Sequence, residues 1–230
     1  SRRQPVGSGL GGLAVKQGGG EYCVCDWKAS RIIVLASDTW HVKRAIRVPQ
    51  PPLCLVQLGA SSTYAVGCGG GGPDPERGPS MCVFVDVDAA RLVGTVRLPG
   101  CPVTDIAYWP AREAALVLTT FPEHLFAVTR SGDAVSAELL LQDFAGTAHI
   151  GDAHGILVDG SRAFISTTGG TDIPEGIVEV DLTRNEWRPL TKLGNGKMTI
   201  LRLPHRGTEL VVPGSTSDTV SFVHLRTAGG

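Results

Sequence analysis

Ser80 to Pro102, SMCVFVDVDAARLVGTVRLPGCP, decides how the chain is read. Val83, Val85 and Val87 alternate with Phe84, Asp86 and Asp88, a period of two that predicts a strand with one buried face. Asp88-Ala89-Ala90-Arg91 interrupts the alternation as a turn. Leu92 to Arg97 resumes it as a second strand, ended by Pro99-Gly100. This is a hairpin, and it recurs.

Moved by 50 residues, the hairpin falls on Ile33 to Pro49: Asp38 meets Asp88, Ile46 meets Val96, Arg47 meets Arg97 and Pro49 meets Pro99. Moved by 93 the other way it falls on Ile177 to Arg184, where Val178, Val180, Asp181 and Arg184 meet Val85, Val87, Asp88 and Arg91. Tyr64-Ala65-Val66 repeats Tyr22-Cys23-Val24 at a distance of 42. A repeat of 45 to 50 residues in all-β sequence fits a four-stranded propeller blade. The expectation is one all-β domain over residues 1–230, with about five antiparallel blades near 9–49, 53–99, 103–141, 154–190 and 198–225. Ala111 to Leu118 is rich enough in Ala and Leu for a helix, but its register with the other repeats favours a strand.

Composition bounds the function. The 230 residues are 42% hydrophobic and 19% charged, enough for a sizeable core. Thirty Gly and fifteen Pro punctuate short strands. Lys+Arg 21 against Asp+Glu 22 leaves a formal charge of −1, so no basic field draws a phosphate backbone and nucleic acid is not expected as a partner. No apolar run approaches the roughly 18 residues of a membrane span. No signal-peptide pattern and no initiator Met precede Ser1, which reads as a processed or excised start. Cys23, Cys25, Cys54, Cys68, Cys82 and Cys101 sit mostly inside apolar strands and read as reduced thiols, in an intracellular setting, cytoplasmic or nuclear.

The pattern V-x-V-D-x-x-R (Val85 to Arg91 and Val178 to Arg184), with D-T-W-x-V-x-x-x-I at Asp38 to Ile46, resembles the WD-repeat and YVTN-type β-propeller superfamily over nearly the whole chain. The resemblance departs in two places. No blade carries Gly-His…Trp-Asp, and Asp26-Trp27 has the reverse order. The fifth blade ends after its third strand, so closure calls for a strand from Gln4 to Gly9, from a longer chain or from a partner. The family implies an architecture and little about function, since propellers host scaffolds, lectins and enzymes alike.

In such propellers the loops joining fourth to first and second to third strands open on one face, the natural place for function. Glu123, His124, Asp152, Asp172 and Glu175 collect there, an acidic rim suited to a basic peptide. Trp40, beside a turn on the opposite face, is a second contact candidate. His149-Ile150-Gly151-Asp152-Ala153-His154, joined by Asp105 of the preceding blade, offers imidazole and carboxylate ligands for a divalent ion. The plainer reading is that His154 ends a strand and Asp152 orders its own loop.

Gly69 to Gly72 lacks the Lys-Ser/Thr of a phosphate loop. Cys23-Val24-Cys25 reads as structural, on the argument that its two thiols project to opposite faces of a strand. Trp109 and Trp187 read as packing between blades. No Gly-x-Ser-x-Gly elbow is present and the six His are scattered. The reading that follows is a non-catalytic protein-interaction scaffold without a cofactor, binding a protein or peptide, with further domains beside it in a longer chain. The rivals are a metal-dependent hydrolase or ligand binder at the channel mouth and a sugar-binding propeller.

Overall fold

The computed structural model describes residues 7, 9–69, 79–99, 102–120, 123–142, 153–167, 176–192, 209–213 and 220–224. Among the described residues every regular element is a strand, apart from two single 3₁₀ turns at Trp27–Ala29 and Pro110–Arg112. Among the described residues no helix is long and apolar enough to cross a membrane.

The first sheet holds β1 (Leu10–Val15), β2 (Glu21–Asp26), β3 (Arg31–Ala36) and β4 (Val42–Arg47). The second holds β5 (Pro52–Gln57), β6 (Thr63–Cys68), β7 (Met81–Asp86) and β8 (Arg91–Arg97). The third holds β9 (Val103–Trp109), β10 (Ala114–Thr119), β11 (His124–Ser131) and β12 (Ala134–Gln142). The fourth holds β13 (Ala153–Asp159), β14 (Arg162–Thr167), β15 (Gly176–Asp181) and β16 (Glu186–Lys192). A two-stranded sheet of β17 (Glu209–Pro213) and β18 (Val220–His224) follows. In each sheet the strands pair antiparallel with their chain neighbours. The Ala- and Leu-rich stretch after Pro110 is strand β10, because all six of its residues are buried between two neighbouring strands.

The sheets stack face to face, as the alternating pattern requires. Cys23, Ile32 and Val34 of the first meet Leu55, Tyr64 and Val83 of the second. Cys54, Ala65 and Phe84 of the second meet Ala115, Val117 and Phe126 of the third. Leu116 and Leu125 meet Ile156, Ile165 and Val178 of the fourth, and Phe164 and Ile177 meet Leu210. Along the inner edge β1 lies against β5, β5 against β9 and β9 against β13. Gly12 permits the first of these approaches, since a Cβ there would stand 2.8 Å from the Cys54 Cα. Trp109 is buried between the third and fourth sheets as expected, whereas Trp187 is 37% exposed on the rim.

Two readings of the sequence need correction. Cys23 and Cys25 both face the second sheet while Val24 faces away, because residues two apart on a strand share a face. The repeat between the second and fourth sheets is also 95 residues, not 93. Asp86, not Asp88, is the counterpart of Asp181. Each ends its strand and takes two N–H donors from its turn, Asp88 and Ala89 in one case (both 3.0 Å), Thr183 and Arg184 in the other (2.9 and 3.2 Å). A slip of two leaves every side chain on its proper face, so hydrophobic alternation alone does not detect it.

Candidate functional site

The turns between third and fourth strands carry the local feature that stands out. Trp40, Ala90 and Asn185 each lie four residues after the end of their third strand, and each is left-handed, with φ of 61, 52 and 55°. Asn tolerates this conformation, whereas a bulky residue there is uncommon and costs roughly 1–2 kcal/mol. Trp40 is held in it. Its N–H donates to the Ala36 carbonyl (2.9 Å), and the Ala36 N–H donates to the His41 carbonyl (3.0 Å). Its indole lies parallel to the Tyr22 ring, with centroids 4.9 Å apart and an angle of 6°.

Tyr22 and Tyr64 are each the second residue of their sheet's second strand. Tyr64 is buried between the first two sheets. Tyr22 is on the far face of the first sheet, with Val24, Ile33 and Leu35, and Trp40 stacks on its ring. The other side of that indole looks outward: Trp40 is 49% and Val42 50% exposed.

Behind this pair Glu21 is buried, at 5% exposure. It accepts hydrogen bonds from Lys43 (2.5 Å), Lys16 (3.3 Å) and Arg44. Lys16 also donates to Asp88 of the second sheet at 2.8 Å. Burial pushes the Glu21 carboxyl up, but hydrogen bonds from Lys43 and Lys16 and the Arg44 charge outweigh it and hold the group below its ordinary value. The cluster fixes the start of β2 against β4 and thereby the floor beneath Tyr22 and Trp40.

A hollow of about 580 Å³ opens at the same end of the molecule, lined by Leu13, Val15, Leu55, Gln57 and Tyr108 among others. It lies at the C-terminal ends of β1, β5 and β9, away from the loop face that the sequence favours. Val15 joins the two features, since it pairs with Tyr22 across β1 and β2.

The remaining candidates fall differently. Glu123 is 5% exposed and forms no part of a solvated acidic rim. His124 begins β11 and meets the Phe126 ring edge-on, at 5.5 Å. Asp105 is committed to the backbone, accepting the Ile106 N–H (2.8 Å) and, across to the fourth sheet, the Ile156 N–H (3.0 Å). Burial, against those two bonds, pushes its carboxyl up to about 6. His154 is half-buried on β13. His149, Asp152, Asp172 and Glu175 lie outside the described residues. Among the described residues no three His, Cys, Asp or Glu side chains are arranged to hold a metal ion. Sequence reasoning picked out Trp40 and missed Tyr22, which the tyrosine repeat at a spacing of 42 could have marked.

No protein-family model matches the sequence, and no curated protein matches it. Solved structures do. The chain superposes on Kuenenia stuttgartiensis hydrazine synthase with a TM-score of 0.74 at 12% identity, over 94% of this chain and 64% of that one. It superposes on the β-propeller domain of Myceliophteria thermophila Cps50 (Swd1) with a TM-score of 0.73 at 15% identity, over 97% and 69%. The fold is a divergent β-propeller. A functionally unknown protein from Desulfotomaculum acetoxidans matches with a TM-score of 0.67 at 13% identity, over 93% and 68%. The propeller thus spans about two thirds of the length of each of these neighbours. At such identities the likeness is one of fold.

Proposed function

We propose that residues 1–230 form one propeller unit that acts as a non-catalytic protein–protein interaction scaffold inside the cell, engaging a partner protein or peptide. The observation that carries this reading is Trp40. A large aromatic occupies a left-handed turn position where its repeats place Ala and Asn, and half of its surface is open. Residues held in sparsely populated backbone conformations cluster at functional sites, and Trp is prominent among residues that dominate interfaces. A WD-repeat-type propeller among the structural neighbours supports the same class by analogy of fold. The contact then lies on the turn face around Trp40 rather than on the opposite loop face.

The test is a photo-crosslinking amino acid placed at Val42, in chains carrying Trp40 or Trp40→Gly, followed by identification of crosslinked proteins from a cell extract. A partner recovered with Trp40 and lost with Trp40→Gly is the expected outcome. Recovery that ignores the substitution counts against this surface. Glycine suits the left-handed backbone, so the variant keeps the fold within about 1 kcal/mol.

A further inference from the structure

We draw no further inference here: the strongest candidate, the hollow of about 580 Å³ at the C-terminal ends of β1, β5 and β9, takes its apolar wall from Leu13 and Val15 on the outer face of the first sheet, and nothing in the structure shows what covers that face.

Discussion

The Asp105 carboxylate accepts the backbone N–H of Ile156 at 3.0 Å, tying the inner strand of the third sheet to that of the fourth. The bond crosses between two stacked sheets, where β9 and β13 cannot form a regular ladder. It comes with an enclosed carboxylate whose ionisation is held back.

Asp105 accordingly gives the fold a pH dependence of defined sign. Its folded value of about 6 lies above the ordinary 3.8, so the folded state keeps a proton that the unfolded chain has lost. The stability this group contributes is full below pH 4 and fades as pH rises through 6, by roughly 3 kcal/mol at most. Asp105→Asn keeps an oxygen for the Ile156 N–H, gives up the second acceptor that meets the Ile106 N–H, and has no charge to desolvate. We expect its melting temperature to gain on the parent's as pH rises from 4 to 8. Melting curves across that range check this, and a variant that is equally destabilised at both ends would refute it.

The buried thiols should be silent. Burial pushes Cys23 up to about 11 and Cys25 and Cys82 up to about 12, and it raises Cys54 and Cys68 as well. Thiolate is the reactive form, and solvent does not reach these sulfurs. In a Cys101→Ser chain, Ellman's reagent at pH 8 should label none of the five before global unfolding. Rapid labelling of one would place that strand outside the cooperative core.

How far the sequence shows this molecule depends on the period of each signal. Strand positions follow from alternation, and the 50-residue repeat holds in the fold: the Leu98 N–H donates to the Ser80 carbonyl as the Val48 N–H donates to the Ser30 carbonyl. The register against the fourth sheet was displaced by two, because alternation is blind to even shifts. The Asp86 and Asp181 turns fix it through hydrogen bonds that a hydrophobic pattern does not record. The site was half legible. Trp40 stood out as an aromatic beside a turn, but its left-handed backbone and its stack on Tyr22 depend on strands brought together by pairing. Glu123 looked like a solvated acid because a loop position says nothing of what folds over it.

Glu21 tests the electrostatic floor of the proposed site. Glu21→Gln removes the buried charge that answers Lys16, Lys43 and Arg44, leaving Arg44, itself largely covered, beside two other cations. We expect a loss of about 1–3 kcal/mol, beyond the usual value of an exposed pair, because one partner is buried. The depressed carboxyl makes its contribution present above about pH 4.5 and lost as pH falls through the folded value. Parent and variant should therefore converge in stability toward pH 3. A gap that stays constant down to that pH would assign the loss to packing alone.

Gly67 tests the packing between the second and third sheets. It lies in register between Cys54 and Cys82 across β5, β6 and β7, so the three form one row. A Cβ at Gly67 would stand 2.4 Å from Val103 Cγ1 and 2.6 Å from Cys54 Sγ, distances that no rotamer change of alanine relieves. Its backbone is ordinary strand, so any cost is steric. Gly67→Ala should lose about 1–3 kcal/mol by overpacking. If the crowding is the cause, Val103→Ala in the same chain should return part of that loss, although Val103→Ala alone destabilises. A double-mutant cycle by urea denaturation measures the coupling. Additive losses would mean that the two sheets separate enough to admit the methyl group, and that their packing is looser than the distances imply.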